Sequence, residues 1–194
     1  MNATLKAYFE EHDYLRNMEA AMLGISRAVL SKMAARGDLR RVTQGVYALP
    51  DCLADELLVI ASRSPNIVFS HETALALHKL HNRIPVKQSV TVPQGCNAPR
   101  SIEKTVKVYR VKPECHAIGK SEVLTFMGHK VPCYDPERTV CDIIRSYSRM
   151  DIETYTSALR SYAASRNRNL SKLLEYARTL GVEKKVKKVV EVLI

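Results

Sequence analysis

Five basic side chains within residues 27–41 form one of two concentrated basic patches in the chain. They are Arg27, Lys32, Arg36, Arg40 and Arg41, and Asp38 is the sole acidic residue among them. Arg and Lys bind DNA phosphates, and Arg also reads base edges, so this density favours a polyanionic partner. The whole chain of 194 residues carries 30 Lys and Arg against 20 Asp and Glu, a formal net charge of +10. That excess agrees with a nucleic-acid partner.

Capping signals predict two helices joined by a tight turn around these residues. The first helix runs from Met18 to Leu23 and is stopped by Gly24. Ser26 is a favourable N-cap for the second helix, Arg27–Arg36, and Gly37 stands where a left-handed residue ends a helix. With another short helix through about residue 11, this arrangement predicts a helix-turn-helix.

The two faces of the second helix differ as DNA reading requires. At about 100° per residue, Val29, Leu30 and Met33 fall on the side that packs against the first helix, where Ala20 allows a close crossing. The other side carries small or basic residues, namely Arg27, Ala28, Ser31, Ala35 and, at its edge, Lys32. Small side chains permit close approach to the major groove, and Arg near the helix start reaches base edges. The alternative is a plain three-helix bundle with an exposed basic helix.

A β-hairpin is predicted directly after this helix. Leu39–Val42 and Val46–Leu49 are short strand candidates around Thr43-Gln44-Gly45. Arginines on the first strand and Gln at the tip suit contact with the DNA backbone or minor groove, unless they are simply solvated. Tyr47 is expected to pack beneath the hairpin. The predicted unit is a winged helix-turn-helix whose candidate DNA contacts are Ser26, Arg27, Ser31, Lys32, Arg36, Arg40, Arg41 and Gln44.

Beyond Pro50-Asp51 the chain mixes strand and helix patterns. We therefore expect two domains, 1–50 and 51–194, and an α+β fold in which a mixed α/β C-terminal domain ends in helices. Asp135-Pro136-Glu137 is a strong helix start, and Ser70 is a candidate cap for a helix over His71–Leu80. From Asp151 onward the apolar spacing is helical.

Enzymatic and metal-binding patterns are weak in this sequence. His71, His78 and His81 share one side of a helix, but a metalloprotease motif would need His at position 75, which is Leu. Neither a nucleophile elbow nor a phosphate-binding glycine loop is present. A nuclease would need paired carboxylates for Mg²⁺, and Asp135, Glu137 and Asp142 are better explained by the helix start and surface. We expect no enzyme activity, cofactor or metal.

Cysteine spacing and hydropathy bear on the compartment. The five cysteines are odd in number and form no C-x-x-C pair, which argues against a disulfide framework. No signal peptide and no apolar run of membrane-spanning length is recognised. These patterns predict a reduced cytoplasmic protein.

Three segments resemble the AbiEi-type antitoxins of type IV toxin–antitoxin systems, which act in abortive phage infection. They are AAMLGISRAVLSKMAARGDLRRVTQGVYALP at 20–50, VFSHETALALH at 68–78 and PCYDPERTVCDIIR at 132–145. The resemblance implies an N-terminal winged helix that binds inverted repeats in the antitoxin's own promoter and represses the operon. It also implies a functional partner, a nucleotidyltransferase-like toxin that is countered without a stable complex.

The lysine-rich end of the chain has two interpretations. Val186, Val189, Val190 and Leu193 form one stripe with Lys184, Lys185, Lys187 and Lys188 mostly between them. This is either a packed amphipathic helix with a solvated basic face or a second nucleic-acid surface. For the whole protein, the rival to an antitoxin is a winged-helix transcription factor with a ligand-sensing C-terminal domain.

Overall fold

The computed structural model describes residues 3–96 and 103–193. The chain folds into two compact units, residues 1–63 and 64–194. Within the described ranges, no helix combines the length and apolarity needed to cross a bilayer. The architecture is the expected mixed α+β fold, with a winged helix-turn-helix at the N-terminus and a mixed sheet followed by helices after it.

The N-terminal unit is helical with a small antiparallel sheet. Its elements are α1 (Ala3–Glu11), β1 (Tyr14–Arg16), α2 (Asn17–Met22), α3 (Arg27–Arg36), β2 (Arg40–Thr43), β3 (Val46–Ala48) and α4 (Glu56–Ala61). The strand order is β1-β3-β2, so the hairpin β2–β3 gains a third strand that sequence patterns did not predict.

One apolar core holds this unit together. Leu5 of α1, Leu15 of β1, Leu30 of α3 and Tyr47 of β3 are buried in the same cluster. Tyr47 is 3% exposed, as expected for a residue packed beneath the wing. Burial of such side chains contributes roughly 1.5–3 kcal/mol each, and here it joins α1, α2 and α3 to the small sheet.

The C-terminal unit is a five-stranded mixed sheet with helices. Its elements are β4 (Val68–Phe69), α5 (His71–Leu77), β5 (Ser89–Pro93), β6 (Lys107–Val111), α6 (Pro113–His116), β7 (Lys120–Leu124), β8 (Lys130–Tyr134), α7 (Pro136–Arg145), a 3₁₀ turn (Tyr147–Arg149), α8 (Ile152–Ala164), α9 (Leu170–Thr179) and α10 (Glu183–Leu193). The strand order is β6-β5-β4-β8-β7, parallel at β5–β6 and β4–β8 and antiparallel elsewhere.

Helix α7 occupies the centre of the C-terminal unit. Asp135 caps it, accepting a hydrogen bond from the Arg138 backbone N–H at 2.8 Å, and Pro136 lies in its first turn, as predicted. Val140, Ile143 and Ile144 of α7 are buried in one cluster with residues of α5, α8, α9 and α10.

The expected role of Ser70 is wrong in one respect. Ser70 precedes α5, but its hydroxyl makes no capping hydrogen bond and instead contacts His71 Nδ1 at 3.0 Å. Helix α5 also ends at Leu77 rather than Leu80, because the Leu80 N–H bonds back to the Leu75 carbonyl and Lys79 adopts a positive φ of 57°. That closure ends the helix one turn early.

Candidate nucleic-acid interface

The turn between α2 and α3 is closed by backbone hydrogen bonds that fix the angle of the two helices. The Ile25 N–H donates to the Ala20 carbonyl at 2.8 Å and the Gly24 N–H to the Ala21 carbonyl at 3.0 Å. This is a Schellman closure, which needs a left-handed residue, and Gly24 has φ +73°. Ala20 is fully buried where the helices cross.

Helix α3 begins and ends at the residues that the sequence indicates. Ser26 Oγ accepts a hydrogen bond from the Val29 N–H at 3.4 Å, and Gly37 adopts φ +80° at the other end. The start of a helix also carries partial positive charge, which favours a phosphate near the first turn of α3.

The outward face of α3 is basic and exposed. Arg27, Ser31, Lys32 and Arg36 are all exposed, whereas Leu30 and Met33 are buried. No ion pair joins Arg27, Lys32 or Arg36 to another residue in 3–96 or 103–193, so their charges face solvent.

The predicted packing face of α3 needs one correction. Helical periodicity predicts that Val29 packs beside Leu30 and Met33, but Val29 is 45% exposed. The helix packs along Leu30 and Met33 with Ala34 beside them, and Val29 lies about 100° from Leu30 on the far edge. Val29 therefore adds an apolar side chain to the exposed surface of α3.

The wing follows α3 directly. Arg41 pairs with Tyr47 and Arg40 with Ala48 across β2–β3, and the register shifts between Arg41 and Thr43. Arg40, Arg41 and Gln44 are exposed. The predicted contacts of α3 and the wing thus all lie at the surface of one compact unit.

The wing tip is fastened to the start of α2. The Asn17 N–H donates to the Gly45 carbonyl at 2.9 Å, and a Cβ built on Gly45 would lie 2.7 Å from Asn17 Nδ2. Gly45 has φ +78° as well. Position 45 therefore requires glycine for both its backbone angle and its close neighbour.

Residues beyond the wing also hold it in place, and sequence reasoning missed this. Tyr14 Oη on β1 donates to the Leu53 carbonyl at 2.9 Å and accepts from the Asp55 N–H at 2.7 Å. Asp55 in turn caps α4. Arg40 donates to the Cys52 carbonyl. These contacts attach residues 52–55 to the sheet of the winged helix.

The histidines weighed as metal ligands lie in separate environments. His71 is buried between the Ser70 and Ser146 hydroxyls, at 3.0 and 3.1 Å, and burial holds its pKa well below the usual range. His78 Nε2 lies 2.7 Å from the Tyr134 carbonyl, while His81 faces α8. Within the residues that the structure describes, no group of His, Cys, Asp or Glu could hold a metal ion. All five cysteines are free thiols.

The carboxylates considered for a nuclease are occupied by structural partners. Asp142 is buried and pairs with Arg138 and Arg145 at 3.0 and 2.8 Å. Asp135 caps α7 and pairs with Lys172 at 2.8 Å. Glu137 accepts from Tyr162 Oη at 3.2 Å. These contacts give each carboxylate a role in packing around α7.

Comparison with known proteins bears on both units. No curated protein matches the sequence significantly. The fold resembles that of the RV2827C protein from Mycobacterium tuberculosis, whose crystal structure aligns with a TM-score of 0.57 at 12% sequence identity. The alignment covers 97% of this chain and 79% of that one. At this identity the likeness concerns the fold alone.

The family match falls on the winged helix. Residues 4–50 match a family model described as "Transcriptional regulator, AbiEi antitoxin". The matched range contains α1 without its first residue, α2, α3 and the complete β1-β3-β2 sheet. The two further segments that resemble such antitoxins, 68–78 and 132–145, lie outside the matched range. Residues 4–50 of this chain are therefore similar to the AbiEi antitoxin family of transcriptional regulators.

Proposed function

We propose that this protein is a DNA-binding antitoxin that represses its own operon by occupying inverted repeats in the promoter. The observation that carries the proposal is the exposed basic face of α3, set opposite the buried Leu30 and Met33. A helix with one packed face and one cationic face of small side chains suits the major groove. The regulator family of residues 4–50 supports the same function.

Each exposed residue has a proposed role. Arg27 and Ser31 read base edges, because they lie in the first half of α3, where base contacts of such helices concentrate. Lys32, Arg36, Arg40 and Arg41 hold phosphates or the minor groove, and Ser26 and Gln44 contact the backbone at the helix start and the wing tip. These residues come from residues 1–50, which we propose as the DNA-binding domain, with 51–194 supplying antitoxin activity.

The DNA-binding proposal is tested by measuring affinity for the promoter fragment and for random duplex DNA. Arg27→Ala should cost about 1–3 kcal/mol on the promoter and little on random DNA, so sequence preference is relaxed. Lys6→Ala is the matched control, since Lys6 is an exposed cation on α1 outside α3 and the wing. Equal losses for Arg27→Ala on both DNAs would contradict base reading, and a promoter without a protected site would contradict the proposal.

The antitoxin proposal concerns a nucleotidyltransferase-like toxin encoded beside this gene, which acts in the same cytoplasm without forming a stable complex. Co-expression of the neighbouring gene with this protein should restore growth. The Arg27→Ala variant should restore growth equally when expressed from a foreign promoter, because the proposed roles of the two domains are separate. Persistent toxicity with wild-type protein would favour a transcription factor with a ligand-sensing C-terminal domain.

A further inference from the structure

An apolar groove runs between α8 and α10 at the surface of the C-terminal unit. Its cavity of about 270 Å³ is lined by Tyr155, Thr156, Leu159, Lys188, Val189 and Val192. Leu159 is buried and forms the floor, whereas Val192 is 77% exposed. The Thr156 hydroxyl donates to the Ile152 carbonyl at 2.8 Å, so its hydrogen bond is made within α8. The groove therefore offers mainly apolar surface to solvent.

Both walls of the groove have the spacing of a helix-docking surface. On α8, Ile152, Tyr155, Thr156 and Leu159 follow the i, i+3, i+4, i+7 pattern of one helix face. Ile152 is 63% exposed, and Tyr147, 47% exposed, packs edge-on against Tyr155 with ring centroids 4.8 Å apart. On α10, Lys185, Lys188, Val189 and Val192 repeat the same spacing. The face on α8 is thus about two turns of helix long, and Val189 and Val192 add apolar surface on α10.

Lys188 lines the groove, and Lys185 lies one turn earlier on α10, beside the groove; neither has an acidic partner in the described parts of the chain. Glu183 is engaged by Arg178 and Lys187, at 3.2 and 2.9 Å. Neither Lys185 nor Lys188 forms an ion pair with another described residue. At about 100° per residue, Glu191 falls about 200° from Val189, on the outer flank of Lys188, so the side of Lys188 that faces the groove carries no carboxylate of α10. A ligand in the groove therefore meets apolar side chains below it and positive charge along one side.

We propose that this groove binds an amphipathic helix of a partner protein, with an apolar stripe flanked by Asp or Glu. Helix-in-groove recognition uses apolar anchors at i, i+3, i+4 and i+7, which both walls here can accept. Carboxylates beside the stripe would meet Lys185 and Lys188. Phosphate backbones would use the lysines but gain nothing from Leu159, Val189 and Val192, so a protein helix fits better than nucleic acid. The proposal is independent of the DNA-binding function.

The test uses the full-length protein and three synthetic amphipathic peptides of about 14 residues, labelled for fluorescence anisotropy. The first has a Leu stripe flanked by Glu, the second has the same stripe flanked by Lys, and the third keeps Glu but replaces Leu by Ser. The Leu–Glu peptide should bind with saturation, and the other two should bind at least an order of magnitude more weakly, since each lacks one half of the complementarity. Equal binding of all three, or no binding of the first, would overturn the proposal.

Substitutions locate the site. Val192→Asp should weaken binding of the Leu–Glu peptide by on the order of tenfold, since it places a carboxylate on the apolar wall. Val86→Asp is the matched control, because Val86 is an exposed valine of the same unit outside the groove. Both valines are solvent-exposed, so folding is retained in each variant. Equal effects of the two substitutions would overturn the assignment of the groove.

Reversing the charge of the two lysines distinguishes an acidic helix from nucleic acid as the partner. The Lys185→Glu/Lys188→Glu double variant should lose the Leu–Glu peptide and gain the Leu–Lys peptide, while Lys130→Glu on β8 should leave both unchanged. If the double variant instead keeps peptide binding and lowers the salt dependence of DNA binding, the lysines form a nucleic-acid surface and the proposal is wrong. A dimer in sedimentation that Val192→Asp dissociates would assign the groove to a second copy and would also overturn it.

Discussion

The guanidinium of Arg40 on β2 donates a hydrogen bond to the backbone carbonyl of Cys52, beyond the end of the wing. The neighbouring Arg41 is exposed and pairs with Tyr47 only through the strand ladder. Two adjacent arginines that look equivalent in the sequence therefore differ in structure. Arg40 has one of its five N–H donors committed to its own chain, and the remaining donors are held at a fixed position.

This difference predicts distinct outcomes for two alanine variants. Arg41→Ala should weaken binding to promoter and random DNA alike, because a phosphate contact carries no sequence information, and leave the melting temperature unchanged. Arg40→Ala should weaken DNA binding in the same uniform way and also lower stability by about 0.5–1.5 kcal/mol, the contribution of one hydrogen bond. Anisotropy titrations and thermal unfolding of both variants check this. A stability loss in Arg41→Ala equal to that in Arg40→Ala would contradict the distinction.

Gly45 at the wing tip should tolerate no side chain. Gly45→Ala places a Cβ 2.7 Å from Asn17 Nδ2 and also strains a φ of +78°, so the Asn17 amide must move aside. Gly37→Ala is the matched control, because Gly37 has a similar φ of +80° in the same unit with nothing within 4 Å of the added Cβ. Both variants should lose the roughly 1 kcal/mol of a left-handed alanine, and Gly45→Ala should lose more. Urea unfolding of both variants measures the difference, and equal losses would contradict the clash.

Local signals were sufficient to predict the helix-turn-helix. The Ser26 hydroxyl and the Gly24 and Gly37 N–H groups bond to residues three or four positions away, so their roles can be inferred from neighbouring residues. The strand β1 could not be predicted in this way. Its three residues, Tyr14–Arg16, show no extended alternation, and they are a strand because β3 lies beside them. The hydrogen bonds of the Tyr14 hydroxyl with Leu53 and Asp55 depend on the same pairing of β1 with β3.

In the C-terminal unit, too, local sequence signals predict an element whereas long-range contacts cannot be predicted. Asp135-Pro136 predicts the start of α7 because capping is local. The role of Arg138, two residues later, could not be predicted from the sequence, because its partners, the Cys115 and Ile118 carbonyls, lie far from it along the chain. Helical periodicity predicts which residues of α3 are exposed. It is wrong for Val29, at the edge of the packed face, because periodicity alone does not say how many residues around the helix are buried.

Arg138 should be far more important to stability than its neighbour Arg145. Arg138 is fully buried, its Nε lies 3.0 Å from Asp142 Oδ2, and its Nη1 donates to the Cys115 and Ile118 carbonyls at 2.7 and 2.8 Å. Burial raises the pKa of Asp142, and Arg138 opposes that rise. Arg138→Met removes the charge but keeps an extended side chain, so it leaves Asp142 and two carbonyls short of a partner in the interior.

We expect Arg138→Met to lower the free energy of unfolding by about 3–5 kcal/mol, as for other buried pairs that lose one member. Arg145→Met is the control, because Arg145 also contacts Asp142 but its side chain is 33% exposed. That variant should lose clearly less than Arg138→Met, because the Arg145 guanidinium is partly solvated and Arg138 still pairs with Asp142. Chemical unfolding of the full-length protein measures both. Losses of equal size would show that Asp142, rather than the buried guanidinium, organises this region.

His71 should make the C-terminal unit sensitive to mild acid. Burial, reinforced by the positive charges of Arg145 and Lys107, holds the pKa of His71 well below its ordinary value. The folded protein keeps the imidazole neutral, whereas the unfolded chain protonates it below about pH 6.5. The unfolded state then binds the extra proton, so the stability present above that pH is lost as pH falls, by up to about 1.4 kcal/mol per pH unit.

The variant His71→Asn should remove this contribution, so that its unfolding free energy depends less steeply on pH between 7 and 5 than that of the wild type. Asparagine tolerates the left-handed backbone at this position, where φ is +46°. His12→Asn is the matched control for replacing a histidine by asparagine, since His12 is exposed in the N-terminal unit. Urea unfolding at several pH values gives the slopes. A wild-type slope retained in His71→Asn would mean that other groups cause the acid sensitivity.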